Sequence, residues 1–272
     1  MLPLPLLSNG RETPTGTVQP TNDETITHEV GISRRPTRPR WGRLVAERLM
    51  HYNLYYADRS AAMGARVILD EIGAPYNLIW TDIEAGSTRA PEFLSLNPNG
   101  WIPVLISQEG AIYECGAITV FLCDRHPEAG LAPALDEPER GPFLQWLFFF
   151  SSSLQNAYQM TYYTDRFCSS EVDHPSVKVR SISRLRELWS VVDDAIGDSG
   201  WLLGKHFSAA DIYLFMLTTW LNETHGHPPL NSFPNVARVA TKVMERTSVG
   251  EVYASYIADR KSSEGHDDSL TR

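Results

Sequence analysis

The chain has 272 residues, 42% of them hydrophobic, and a formal net charge of −9. That length supports one large or two medium domains with a sizeable core, and the acidic balance argues against a dedicated nucleic-acid binder. No apolar run approaches the ~20 residues needed to cross a bilayer, so no membrane partner is expected.

Three cysteines, Cys115, Cys123 and Cys168, are too few and too widely spaced for a disulfide framework or a zinc site. They fit a reducing compartment such as the cytoplasm. His225-Gly226-His227 has no acidic or cysteine partner at ligand spacing and reads as a loop, so no metal is expected.

Taken in order, residues 1–49 mix Pro, Thr, Gly and Asn with an arginine cluster at Arg34–Arg40 and sustain no hydrophobic period. Such composition predicts a disordered extension. Its first apolar run is short, Pro-broken and not preceded by basic residues, unlike a signal peptide. Tyr52 to Ala57 reads as a strand. Met63, Val67, Ile68 and Ile72 then recur at helical spacing, and Gly73 stops the helix. Tyr76 to Thr81 is a second strand, which completes a β-α-β unit.

A polar loop and a short helix near Pro91–Leu96 follow. Then comes the most informative stretch, Asn97-Pro98-Asn99-Gly100-Trp101-Ile102-Pro103-Val104-Leu105. It reads as a tight loop running into a proline-started strand. Pro103 is a candidate for the cis isomer. A cis bond there would push the Val104 backbone outward and leave its N–H and C=O free for an extended ligand, paired like an added strand. A hairpin through Gln108-Glu109-Gly110 leads to Glu114-Cys115-Gly116, which opens a helix to about Arg125. Unpaired N–H groups at that helix start would attract a carboxylate, and Glu114 beside them could take an ammonium group. The two segments together suit a short peptide with an α-amino-acid head.

Residues 50–126 thus form a small α/β domain, and 127–136 form a Pro/Ala/acid-rich linker. Everything from 137 to 257 is helical in pattern. One helix spans about Glu137–Tyr163, bent near Ser151–Ser153, and another spans Val177–Ile196. Ser208 followed three residues later by Asp211 resembles a capping box before a buried helix. A further helix starts at Phe233-Pro234, and residues 258–272 read as a polar tail.

These pieces resemble the cytosolic glutathione S-transferase family. The matching residues are Leu54-Tyr55-Tyr56, Leu96-Asn97-Pro98, Ile102-Pro103-Val104-Leu105, Tyr113-Glu114-Cys115-Gly116-Ala117-Ile118 and Leu203 through Asp211, in the family's order. The resemblance covers roughly residues 50–257 and is strongest to bacterial and fungal members that use serine or cysteine rather than tyrosine. It implies a thioredoxin-like N-terminal domain, an all-α C-terminal domain carrying a second-substrate pocket, and a homodimer. Glutathione would be the co-substrate. By resemblance Pro103 is the cis proline, the Val104 backbone pairs with the cysteinyl part, Glu114 with Cys115 holds the γ-glutamyl head, and Asn99, Trp101 and Ile102 complete the glutathione site, Trp101 at the place of the glycine carboxylate. Cys115 stands where the family usually has serine, and Trp101 where many relatives carry a polar or basic residue.

Activating a thiol of pKa near ~8.5 by ~2 units requires about 2.7 kcal/mol of selective thiolate stabilisation. One hydrogen bond to a charged group supplies ~1.5–3 kcal/mol and a helix N-terminus ~0.3–1 kcal/mol. The Ser60 hydroxyl, at the start of the first helix, is the expected donor. Tyr55, Tyr56 and Arg59 are its rivals, and a simple helix-capping role for Ser60 stands beside the catalytic one. Adjacent strand residues face opposite ways, so only one tyrosine could point at the site. Tyr158 and Tyr162 would line an apolar pocket facing the sulfur, or else serve in core packing.

Two activities are compatible with these residues. The first is glutathione-dependent attack on an apolar electrophile, by conjugation, ether cleavage, dehalogenation or isomerisation. The second is a non-catalytic relative that keeps the fold for binding or protein contacts.

Overall fold

A computed structural model describes residues 51–259. The 1–49 extension with its arginine cluster, and the tail from residue 260, lie outside the described residues. Four strands, β1 (Tyr52–Tyr56), β2 (Tyr76–Trp80), β3 (Val104–Ser107) and β4 (Gly110–Tyr113), form one sheet in the order β2-β1-β3-β4. β1 pairs in parallel with β2, as a crossover through a helix allows. β3 pairs antiparallel with both β1 and β4. Helices α1 (Ala62–Ile72), α2 (Pro91–Leu94) and α3 (Cys115–Arg125) complete this thioredoxin-like layer. Gly73 closes α1 in a left-handed conformation at φ 65°, giving its N–H to the Asp70 and Leu69 carbonyls. A side chain would oppose that geometry.

The second domain is helical. It contains α4 (Arg140–Phe149), α5 (Gln155–Tyr162), α6 (His174–Ile196), α7 (Ala209–Thr218), α8 (Pro234–Met244) and α9 (Thr247–Val252). A helical stretch over 254–259 runs two residues into what reads as polar tail. The bend expected at Ser151–Ser153 is a π-helical turn, Phe150–Leu154, between α4 and α5.

Every residue of α7 is buried, so its start needs an internal cap. Asp211 provides one: its carboxylate accepts from the Ser208 N–H at 2.8 Å, the Ser208 hydroxyl at 3.1 Å and the Leu202 N–H at 2.8 Å. The capping box read from the sequence is present in both directions: the Ser208 side chain accepts from the Asp211 backbone N–H, and the Asp211 carboxylate accepts from the Ser208 N–H. α7 packs directly on α1. A Cβ at Gly64 would come within 2.8 Å of the Met216 sulfur, so glycine lets the two helices approach. The α1–α9 contact is tied by Arg246, whose Nε donates to Glu71 at 2.8 Å, and by the Ser248 hydroxyl on the same carboxylate. This packing places the first turn of α1 between the sheet and the helical domain.

Candidate functional site

A cleft of about 1340 Å³ lies between the two layers. One wall is built by the start of α1, the 97–103 loop and the start of α3. The other is built by the π-helical turn, α5, residues 219–224 and the chain from Tyr253 to Asp259.

On the first wall, buried Asn97 organises the loop. Its amide donates to the Trp101 carbonyl at 2.8 Å, and its side-chain oxygen accepts the Asn99 N–H at 3.0 Å. Gly100, at φ 65°, lies tight against Thr88 and Arg89, with no room for a side chain. The Ile102–Pro103 bond is cis. The backbone open to a ligand belongs to Ile102, not to Val104. Val104 is fully buried and in register with Tyr55 of β1 and Tyr113 of β4, so its main chain lies inside the sheet and outside the cleft. Ile102 lines the cleft, and neither its N–H nor its carbonyl has a partner among the described residues. Asn99 and Glu114 face each other across the loop at 3.5 Å.

Glu114 is left-handed at φ 72°, and Arg59 at φ 58°. Among the described residues these are the two non-glycine positions with positive φ, and both line this cleft. Such backbone costs about 1–3 kcal/mol and persists where the surroundings enforce it. The conformation of Glu114 lets α3 begin abruptly, with its first amides and the Glu114 carboxylate at one spot. An ammonium and a carboxylate one carbon apart would find partners there.

The Cys115 thiol turns away from that spot. It is buried and leans on the Ala61 carbonyl at 3.8 Å. Burial pushes its pKa up to about 12, so it is a neutral packing group. Only the backbone of Cys115 remains for a ligand, where the resemblance implies the side chain as well.

Ser60 is buried at the cleft's base. Its hydroxyl donates to the Ala57 carbonyl at 2.6 Å and accepts the Ala62 N–H at 3.2 Å, so it caps α1. The rival tyrosines do not line the cleft. Tyr56 donates to Asp58 at 2.9 Å, and burial followed by that carboxylate pushes its pKa up to about 12. Tyr55 faces the opposite side of β1 and packs edge-on against Phe93. Arg59 reaches outward to an exposed ion pair with Asp259 at 3.4 Å.

The helical wall is mixed in polarity where the resemblance implies an apolar pocket. Ser151, Gln155, Asn156, Gln159, Thr219 and Asn222 present amides and hydroxyls to the cleft. Tyr158 borders the cleft while packed into the core at 1% exposure: its hydroxyl donates to the Leu217 carbonyl at 2.9 Å and accepts the Trp189 N–H at 3.0 Å. Tyr162 is partly exposed in the cleft, with its hydroxyl on the Trp220 carbonyl at 2.8 Å. His227 is buried against Tyr162 and bonded to Thr161 at 2.9 Å, which fits a structural loop.

Trp101 stacks beside Tyr163, with the Arg166 guanidinium 4.4 Å from the Trp101 ring and 4.2 Å from Tyr163. Arg89 approaches the same indole at 5.5 Å and donates to the Asn99 carbonyl. Neither arginine meets a carboxylate within 4 Å among the described residues. Two cations therefore flank the outer end of the Ile102 backbone. Sequence reading passes over them because they lie twelve residues before and sixty-five after Trp101, in no shared motif.

A family model described as the glutathione S-transferase N-terminal domain matches residues 50–124, and one described as its C-terminal domain matches 160–247. Together they span more than half of the chain. Among curated relatives, "Glutathione S-transferase GstA" of Escherichia coli O157:H7 is 22% identical over 204 residues, covering 74% of this chain and 97% of that protein. "Disulfide-bond oxidoreductase YfcG" of Escherichia coli K12 is 26% identical over 219 residues, covering 77% and 98%. Among solved structures, Ure2p in complex with glutathione superimposes with a TM-score of 0.66 at 27% identity, covering 75% of this chain and 99% of that one.

Proposed function

The chain belongs to the glutathione S-transferase family, and from that premise we propose that it binds glutathione in this cleft and uses the thiolate to attack a small electrophile. The observation that carries the reading is convergence. The unpaired Ile102 backbone, the left-handed Glu114 with the first amides of α3, and the start of α1 all open onto one space. The cysteinyl residue of glutathione pairs with Ile102 as an added strand. Its γ-glutamyl ammonium meets Glu114, and the carboxylate beside it meets the α3 amides. Asn99 and Trp101 border the tripeptide, and its glycine carboxylate lies toward Arg89 and Arg166. The sulfur then points at the first turn of α1. There the helix dipole, and the Ser60 hydroxyl once it turns from Ala57, favour the thiolate.

In the transfer step the thiolate forms a C–S bond, the leaving group departs with its electron pair, and the thiol proton has already passed to water. The mixed polarity of the helical wall favours substrates that carry hydrogen-bonding groups beside the electrophilic carbon, with Tyr162 supplying apolar contact. The same wall favours a second reading: exchange with a glutathione mixed disulfide. There the thiolate attacks one sulfur, the old S–S bond breaks, and the other thiolate leaves. We place the protein in the cytoplasm as a homodimer on the family's pattern. Among the described residues no helix is long and apolar enough to cross a membrane.

Calorimetry with glutathione, followed by assays against an aryl halide and against a mixed disulfide, tests the proposal. Binding with turnover of either substrate is the expected result. Absence of glutathione binding rejects the reading, and binding without turnover of either substrate points to a non-catalytic relative.

A further inference from the structure

Tyr253 follows α9 and packs edge-on against Phe215 of α7 and close to Tyr256, with ring centroids 5.0 and 6.4 Å away. It lines the cleft and is 1% exposed. Its hydroxyl is the one buried side-chain oxygen among the described residues without a hydrogen-bond partner. A phenol withdrawn from water with nothing to donate to is unfavourable, and such a group in a folded protein calls for a reason. Neighbouring hydroxyls are already engaged. Ser60 is held by Ala57, Tyr56 by Asp58, Tyr158 by Leu217, and Tyr213 by Gln155 at 2.6 Å.

We propose that the Tyr253 hydroxyl donates a hydrogen bond to the glutathione thiolate and is a catalytic residue of this protein. The inference rests on the glutathione reading above. Position supports it: Tyr253 neighbours Cys115, whose sulfur touches Ala61 at the first turn of α1, where the glutathione sulfur is aimed. Energetics support it too. Ser60 must break its bond to Ala57 before it can serve the sulfur, so its net gain is reduced, whereas Tyr253 has no bond to give up. The titratable groups that face the phenol are Cys115 from α3, Tyr56 from β1 and Tyr256. Burial raises the pKa of Tyr253 itself, so it keeps its proton and acts as a donor rather than as a repelling anion. The thiol's own proton leaves to water, and no covalent bond to Tyr253 forms.

Tyr253→Phe separates this role from packing, because the substitution removes only an oxygen that has no partner in the free protein. A packing role predicts unchanged turnover and an unchanged thiol pKa. The proposal predicts an equal or higher melting temperature and glutathione affinity within about threefold. It also predicts kcat/KM lower by about tenfold at neutral pH and recovering as pH rises. The bound thiol, titrated through the ultraviolet band of the thiolate, should ionise about one pH unit later in the variant. An unchanged thiol pKa and kcat/KM in Y253F, on a wild type that binds glutathione, overturns the role of Tyr253 and leaves the glutathione reading intact. A wild type that does not bind glutathione, or that binds it with the thiol at its free-solution pKa, overturns this inference, the former together with the reading it rests on. Should Y253F fail to fold, the wild-type titration alone decides on that last criterion.

Discussion

The two walls of the cleft recognise by different means. The thioredoxin-like wall works through main chain: the open Ile102 peptide, the amides at the start of α3 and a left-handed Glu114. The helical wall works through side chains: Tyr253, Arg166, Tyr162 and a row of amides and hydroxyls. A backbone site tolerates substitutions that keep its dihedral angles. A side-chain site changes its chemistry with each residue. On that contrast, a cysteine at position 115 leaves the first amides of α3 in place.

Five substitutions test that contrast. Glu114→Gln removes the carboxylate by which the main-chain wall would meet the ammonium, and it should raise the glutathione Kd by about 10- to 100-fold, the value of a charge-assisted hydrogen bond. Calorimetry measures it, and a change below threefold would mean that the head group does not sit there. Arg166→Ala, read with Arg89→Ala, should weaken glutathione by about 3- to 10-fold each and flatten the salt dependence of binding, since exposed ion pairs are worth ~1 kcal/mol and are screened. Salt-independent wild-type affinity would place the glycine carboxylate elsewhere.

Ser60→Ala follows, with kcat/KM lower by about 2- to 10-fold. Helix-capping logic alone would suggest mainly a loss of stability, of ~1 kcal/mol, and a thermal melt beside the rate assay separates the two. The about 2.7 kcal/mol asked of a sulfur-stabilising donor corresponds to about a hundredfold in rate, but the existing bond to Ala57 reduces what the hydroxyl can add. Cys115→Ser should be nearly silent in glutathione affinity, within about twofold, because only the main chain at 115 faces the ligand. The buried thiols should also resist alkylation at neutral pH, where mass spectrometry would find Cys168 modified ahead of Cys115 and Cys123: burial pushes both buried thiols up to about 12.

The main-chain wall was largely legible from sequence because local signals write it. Gly100 and Asn97 shape one loop, Pro103 starts one strand, and Glu114-Cys115-Gly116 opens one helix. The open peptide was misplaced by two residues, at Val104 rather than Ile102. Only the pairing of β3 on both of its edges, a long-range property, shows that Val104 is enclosed. The direction of the Ser60 hydroxyl was equally unreadable, since a serine before a helix can cap or project. Tyr253, Arg89 and Arg166 carry no local signature at all. They acquire meaning only when chain segments that share no motif, ten to well over a hundred residues apart, are brought to the same cleft.

The π-helical turn at Phe150–Leu154 carries one more residue per hydrogen-bonded ring than the α-helix on either side of it. Every residue of α5 is therefore rotated about the helix axis relative to a continuous α-helix. The cleft-facing set of Gln155, Asn156, Gln159 and Tyr162 is thus selected by a count rather than by composition. The extra residue is absorbed within the turn, so deleting Ser152 or Ser153 would leave a continuous α-helix that still presents the same stripe of α5, whereas a one-residue insertion elsewhere in the helix would rotate that stripe by about 100°.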